Sequence, residues 1–568
     1  MTFRLNGDNS AVTMYVDTST VKQGDKAYTR HLLRESYREG KKVKNRTIAN
    51  ISRCSAEEIA AIRLALRHKK NLSELTTTGQ GQTFLQKQGL SLGAVWSVYD
   101  LARHLGIVEA FGTTREGKLG LWQVIARVID QGSRLSAVRM AGAHAACDVL
   151  GLGKFDEDDL YANLDWLCEN QALIEDRLFR NLYRTEKPGL FLYDVTSSYF
   201  EGTRNELSAF GYNRDGKKGK KQIVIGLLGN ETGVPLTVEV FTGNTQDPQT
   251  FGPQIKKVAD RFGGQAVTLV GDRGMIKGPQ IEQLSAEPYG FHYITAITKP
   301  QLETLLKKKI IQLDLFDQAL AEVKTTDGLR YVLRRNPARA QEIQKSREDK
   351  RQVLQQAIAK QNQYLQEHPR AAVAVATRKI KARSERLKMS AWVLISASAR
   401  EITLVVDHET LIEVAKLDGC YVLKTDLSEA AATKEVIHAR YKDLALIESA
   451  FRTSKTVELE LRPIHVRLAS RTRAHAFVVM VAYRIVKELS LRWQHLNVTV
   501  QEGLNELATL CTMELLVDGV VKINDIPEPR PSVKELLKAA KVCMPKFLPC
   551  SGIHVATKKK LQRRQTNC

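Results

Sequence analysis

Hydrophobic positions change their spacing along the chain, and each change marks a different kind of structure. Residues 27–52, AYTRHLLRESYREGKKVKNRTIANIS, alternate on either side of Glu39-Gly40-Lys41, which predicts a β-hairpin with basic edges. A helix is predicted from Ser55, where Ser55-x-x-Glu58 matches a capping box. Between 92 and 185 the apolar residues recur at helical spacing in LGAVWSVYDLARHLGIVEAF, LWQVIARVIDQ and DLYANLDWLCENQALIEDRLF. Loops are predicted at Gly112–Lys118 and Gly151–Lys154, so this stretch reads as an all-α unit whose apolar stripes are mostly core.

From Gly189 the period shortens to that of strands. LFLYDVTSSYF, KQIVIGLLGN and VPLTVEVFTGN follow one another across Gly- and Asn-rich turns. A helix over Pro253–Phe262 leads to the strand AVTLVGDRG, and a helix over Pro279–Ser285 leads to FHYITAIT. Three meander strands followed by alternating helix and strand is the order expected of a ribonuclease H-like mixed sheet, in the α/β class. Asn336–His368 then reads as a long charged helix stopped by Pro369, with a second basic helix to about Met389. Together they predict a largely helical, antiparallel insertion. EITLVVD and CYVLKTDLS return to strand character before a long helix from near Ser428. The boundaries expected are a β-hairpin and helix unit (1–90), an all-α domain (91–187), a first core segment (188–299), the insertion (300–395), a second core segment (396–525), and a linker with a basic tail (526–568). The first two are expected to bind DNA, the all-α domain at DNA ends.

Charge narrows the partner. Lys and Arg outnumber Asp and Glu by 85 to 63, a formal +22 over 568 residues. Such a surplus favours a polyanion, because phosphate contacts release condensed counterions; a merely basic enzyme is the alternative. Eight cysteines without CxxC spacing read as reduced thiols. Cys543, Cys550 and His554 lack the spacing and the fourth ligand of a zinc site. The N-terminus has no signal-peptide core, and the longest apolar run, near Ala476–Tyr483, is too short for a bilayer. A soluble, cytoplasmic protein is expected, associated with the nucleoid when bound to DNA and with no membrane partner.

Three carboxylates stand out. Asp194 lies inside the apolar run LFLYDVTSS, where a charge is costly unless paired or bound to a cation. Asp272 follows VTLV at a strand end, beside Arg273 and Gly274. On a helix predicted over Glu435–Thr456, Tyr441, Glu448 and Lys455 recur every seven residues along one stripe, with Arg452 a turn beyond Glu448. The carboxylate suits a metal, and Arg452 and Lys455 suit phosphate oxygens; a solvated Glu448–Arg452 salt bridge is the alternative. Lys217, Lys218, Lys220 and Lys221 share a turn after the first strand and read either as phosphate guides or as a solvated basic turn.

In order along the chain, LYDVTSSYFEG, NELSAFGYNRDGKKGKKQIVIGLL, GNTQD, GDRGM, DGCYVLKTD and YKDLALIESAFRTSKTVELELRPIHVR resemble the DDE transposases of bacterial insertion sequences. The resemblance is to the hairpin-forming group with a Tyr-Arg-Glu-Lys signature, and within it to the long-chain branch. It covers about Leu190 to Val486, and the N-terminal hairpin also looks like that branch's. The signature is met at Tyr441, Glu448 and Lys455 but not at Leu444, leaving Arg452 or Arg440 to hold the phosphate. The family's insertion is mainly β where this one reads as helical, so a base-flipping role is not carried over to Trp392.

The resemblance implies that Asp194, Asp272 and Glu448 are the catalytic, metal-binding triad, with Tyr441, Arg452, Lys455, the four turn lysines and Arg273 contacting DNA or phosphate. Carboxylate oxygens suit two Mg²⁺ ions, with Mn²⁺ able to replace them. At about 4 Å apart, such ions activate the attacking oxygen and stabilise the leaving one. Double-stranded DNA, as terminal inverted repeats and target, is the implied partner. Cleavage frees a 3′-OH that attacks the opposite strand to give a hairpin, which is reopened and joined to target DNA, and synapsis of two ends implies a homodimer. A host-adopted, inactive DNA-binding derivative and a structure-specific nuclease of the same fold are the other readings. No GxxxxGK[ST] loop supports ATP-driven chemistry.

Overall fold

The computed structural model describes residues 3–4, 11–23, 26–39, 42–67, 84–202, 204–262, 267–456, 459–462, 464–517, 520–546, 548, 552–553, 555 and 557. The chain divides into two compact units, Met1–Asn170 with Val481–Cys568, and Gln171–Met480.

In the first unit, strands Phe3–Arg4, Ala11–Gln23, Lys26–Glu39 and Lys42–Asn50 form an antiparallel sheet in chain order. Glu39 stands opposite Lys42, and the Gly40-Lys41 turn lies outside the described residues. The helix Ala56–Arg67 begins at Ser55, whose hydroxyl accepts from the Glu58 N–H (3.2 Å) while the Glu58 carboxylate accepts from the Ser55 N–H (2.7 Å). Helices fill most of Gly93–Asn170, with Trp122 and Phe111 buried among them. The loop predicted at Gly112–Lys118 is shorter, because Thr114 caps a helix starting at Arg115.

The segment 396–525 does not stay together. Its last strands, Cys511–Val517 and Val520–Asp525, belong to the first unit, where Cys511–Val517 pairs antiparallel with Phe84–Ser91. The Cys550 and His554 of the zinc pattern and the tail lysines and arginines lie outside the described residues.

The second unit is α/β, built on one mixed sheet. Its elements are β1 (Leu190–Tyr199), β2 (Gln222–Asn230), β3 (Pro235–Thr242), α1 (Asp247–Lys257), β4 (Thr268–Gly271), α2 (Gly278–Ser285), β5 (His292–Ala296), β6 (Ala321–Lys324), β7 (Arg330–Arg335), α3 (Pro337–Glu367), α4 (Val373–Arg386), β8 (Val393–Ser398), β9 (Glu401–Val406), β10 (Cys420–Thr425), α5 (Lys434–Lys442) and α6 (Leu444–Lys455). The sheet runs β6-β7-β10-β5-β4-β1-β2-β3. β1, β2 and β3 form an antiparallel meander, while β4 and β5 run parallel to β1. This order and these directions fit a ribonuclease H-like core. Phe191, Tyr193 and Val195 of β1 join α1 and α2 in one apolar cluster through Phe251, Ile255 and Leu284. By strand alternation Asp194 is turned to the opposite face.

The insertion is less purely helical than its sequence suggests. β7 extends the main sheet antiparallel to β10, and β6 pairs antiparallel to β7 at its edge, because their apolar residues bury against Val422 and Phe316. α3 and α4 form the expected reversal around Pro369. EITLVVD does not rejoin the core; β9 pairs with β8 and packs on α3 and α4 around Leu354, Ile380 and Trp392. Trp392 is thus a core residue of the insertion.

Arg330 on β7 fixes where the second half of the core begins. Its side chain is 1% exposed, and Nη1 donates to the carbonyls of Leu427 (2.9 Å), Ser428 (3.0 Å) and Ala432 (2.7 Å), with Glu322 paired at Nε. These bonds hold the turn that launches α5. Arg330→Met is expected to cost about 2–4 kcal/mol, since it strands three carbonyls and the half-buried Glu322 carboxylate. A urea midpoint unchanged from wild type would contradict this role.

Candidate active site

Register brings the two strand aspartates together. β1 and β4 are parallel neighbours with Tyr193 opposite Gly271, so the next residues, Asp194 and Asp272, lie side by side. Adjacent strands are about 4.8 Å apart. α6 packs on β1 and β2, the route by which Glu448 reaches the same region. The close approach depends on the β2–β3 turn: a Cβ at Gly233, whose φ is +70°, would lie 2.4 Å from Leu446 Cβ.

The electrostatics register this assembly. Asp194 is pushed up to about 7, first by burial and then by the charges of Asp272 and Glu448, against the opposing pull of the Val195 N–H (2.8 Å) and Arg214. Asp272 and Glu448 are exposed. Tyr441 Oη donates to Asp272 Oδ1 (3.0 Å), and burial together with that carboxylate raises the phenol well above its usual range. Among the described residues, no three His, Cys, Asp or Glu side chains yet stand close enough to hold one ion. The donor set nevertheless fits a hard divalent cation: all donors are oxygen, and a partly buried carboxylate beside two others gains most from one.

The single helix predicted over Glu435–Thr456 is two, α5 and α6, separated at Asp443. Asp443 is a weak helix former, and the break lets Ile437 on α5 and Leu444 and Ile447 on α6 all bury. Leu444, where the signature has arginine, is 7% exposed and belongs to the core. Arg440 is paired with Asp443 at 3.3 Å, whereas Arg452 and Arg273 are exposed. No Glu448–Arg452 ion pair forms among the described residues.

Lys455 does not face outward to phosphate. Its side chain, 9% exposed, donates to Thr196 Oγ1 (2.6 Å), Asp215 Oδ1 (2.9 Å) and the Ser197 carbonyl. Burial lowers its pKa, partly offset by Asp215. Asp215 also accepts from Arg462 Nη1 (2.7 Å) and from the Tyr199 N–H (3.1 Å). This carboxylate, missed in the sequence, ties the loop bearing Lys217, Lys218, Lys220 and Lys221 to β1 and to the end of α6. Within that loop Lys220 pairs with Glu201 (2.7 Å), while Lys217 and Lys218 are exposed.

Residues 185–485 match the transposase DDE domain, and residues 16–79 match the N-terminal domain of IS1634 family transposases. The chain belongs to the DDE transposases. Its two matched segments mark it as a transposase of an insertion sequence, an enzyme that acts on DNA, and the DDE domain implies dependence on a divalent metal. No curated protein matches the chain. Among solved structures it is similar to a piggyBac transposase in a synaptic complex with hairpin DNA, at 9% identity and a TM-score of 0.35 over 75% of this chain and 70% of that one, too weak a likeness to carry an argument. No helix among the described residues is long and apolar enough to cross a membrane.

Two outcomes follow for the metal-free protein. Asp194 loses its proton near 3.8 when unfolded and near 7 when folded, so stability falls as pH rises through that window. Asp194→Asn should remove this slope and raise stability at pH 8 by roughly 1–3 kcal/mol, discounted for partial exposure; an unchanged slope would refute the burial argument. Asp215→Ala leaves two cations without their shared carboxylate and should destabilise by about 3–5 kcal/mol, while Asp215→Glu retains part of the stability. Thermal melts of both variants measure this.

Proposed function

We propose that Asp194, Asp272 and Glu448 hold the divalent ions with which this transposase cleaves the ends of its element and joins them to target DNA. The observation that carries the reading is the pairing of Tyr193 with Gly271, which makes the two aspartates neighbours under α6. Two Mg²⁺ ions, or Mn²⁺ in their place, would when bound activate the attacking oxygen and stabilise the leaving oxygen.

The chain's own residues have separate tasks. Asp194, protonated in part near neutral pH, gives up its proton when a cation is bound. Tyr441 keeps its proton and orients Asp272 through Oη. Arg273 and Arg452, both exposed, offer planar donors to phosphate oxygens, the role left open by Leu444. Lys455 acts from behind, steadying β1 and the Asp215 loop, while Lys217, Lys218, Lys220 and Lys221 give that loop its positive charge. Residues 1–90 are assigned to DNA binding, 91–187 to DNA-end binding, and the helical pair α3 and α4 to an arm along the DNA backbone. Hydrolysis frees a 3′-OH; attack by that hydroxyl on the phosphate of the opposite strand forms a new phosphodiester that closes a hairpin and releases the flanking DNA through its 3′-oxygen, and water then reopens the hairpin to restore the 3′-OH that attacks target DNA. The hairpin step rests on the signature at Tyr441, Glu448 and Lys455. Synapsis of two terminal repeats calls for a homodimer.

Asp194→Asn, Asp272→Asn and Glu448→Gln should each lower Mg²⁺-dependent cleavage of an end-bearing donor by roughly three orders of magnitude while end binding persists. Full cleavage by any of the three would remove that residue from the metal site. Cleavage without strand transfer by the wild type would favour a nuclease, and neither activity would favour a DNA-binding derivative.

A further inference from the structure

The loop between β1 and β2 carries the two most exposed large aromatic side chains among the described residues, Phe210 (65%) and Tyr212 (83%). Water contact on that scale is costly for large rings, and here it is built into a braced backbone. Ala209 and Gln222 exchange backbone hydrogen bonds (3.1 and 3.0 Å), and Gln222 Nε2 donates to the carbonyls of Tyr212 (3.0 Å) and Gly243 (2.9 Å). Between the two rings, Gly211 lies so close to β3 that a Cβ would meet the Gly243 carbonyl oxygen at 2.1 Å. Arg214 N–H donates to Ser197 Oγ (2.8 Å), and Asp215 is locked by Lys455 and Arg462. The rings are displayed by a fixed scaffold.

Cations are interleaved with them. Arg214 Cζ lies 5.8 Å from the Tyr212 ring centre, and Lys221 Nζ lies 6.0 Å from that of Phe210. Lys217 and Lys218 follow, both exposed. Aromatic faces alternating with positive charge meet the two needs of a nucleic acid strand whose bases are unpaired: stacking for the base and neutralisation for the phosphate. Paired duplex offers no free base face, so the rings would add little to its binding. Ser197, which anchors the loop, is three residues along β1 from Asp194, about 10 Å at strand rise. The rings flank Gln222, which stands opposite Tyr199, five residues along β1 from Asp194 and about 16 Å at strand rise, a span of a few nucleotides from the candidate metal site, where cleavage and strand transfer require bases to come apart.

We propose that Phe210 and Tyr212 form a stacking platform for unpaired bases of the DNA end a few nucleotides from the active site, with Lys217, Lys218 and Lys221 holding the attached phosphates, while Arg214, paired with Asp247 at 2.5 Å, steadies the Tyr212 ring. The location rests on the reading of Asp194 as part of the catalytic centre, but the stacking is measured by binding alone and stands or falls separately. The probe is an end duplex with a short unpaired overhang carrying 2-aminopurine, compared with the same duplex fully paired, both titrated with the full chain without divalent metal. Phe210→Ala combined with Tyr212→Ala should weaken binding of the overhang duplex by roughly 5- to 150-fold per stacked base, abolish quenching of 2-aminopurine, and leave the paired duplex unaffected. Tyr212→Phe should retain both binding and quenching. Equal loss on paired and unpaired DNA, or no loss on either, would overturn the proposal. So would a change in oligomeric state with overhang binding intact, which would make the patch a protein interface.

Discussion

A negative charge collected where the end of β4 meets the middle of β1 is the constraint around which the second unit is organised. Strand pairing alone sets Asp194 beside Asp272, and the apolar cluster of Phe191, Tyr193 and Val195 turns Asp194 to the face on which α6 packs. An apolar sheet cannot solvate that charge, so Asp194 holds its proton to about pH 7 unless a cation replaces it. On the proposed reading, the same arrangement that is unfavourable to the charge of Asp194 is what would give a divalent ion its binding energy. Tyr441 moderates it by donating to Asp272.

Around this point the structure converts long sequence separations into fixed geometry. Arg330, from a strand of the insertion, sets the turn before α5, and Gly233 lets α6 approach the sheet. Asp215 gathers Lys455 and Arg462, and so joins the far end of α6 to the basic loop. The positive charge of that loop is thereby placed along β1, the strand that carries Asp194. Stability and function are coupled here, since the buried ion cluster and the candidate metal site share one strand.

Much of this was legible from sequence because the signals were local. An aspartate inside LFLYDVTSS stands out against its apolar neighbours, and the alternation of strands and helices around it fits the observed sheet order. What was not legible depended on distant partners. Lys455 looked like a phosphate ligand because Asp215, its counter-ion, lies 240 residues away. The strand Cys511–Val517 pairs with Phe84–Ser91 across more than 400 residues, which no periodicity reveals. The break at Asp443 is set by what Leu444 and Ile447 must bury. Likewise EITLVVD has strand character, but the choice between the core sheet and a hairpin on α3 and α4 is made by packing.

The central claim is that a divalent ion displaces the proton of Asp194. Titration of the wild-type protein with Mn²⁺ by calorimetry between pH 5.5 and 8.5, in buffers of differing ionisation enthalpy, tests it most directly. The account predicts an affinity that rises about tenfold per pH unit below pH 7 and levels above it, with proton release that disappears in Asp194→Asn. An affinity independent of pH, or unchanged proton release in the variant, would contradict it.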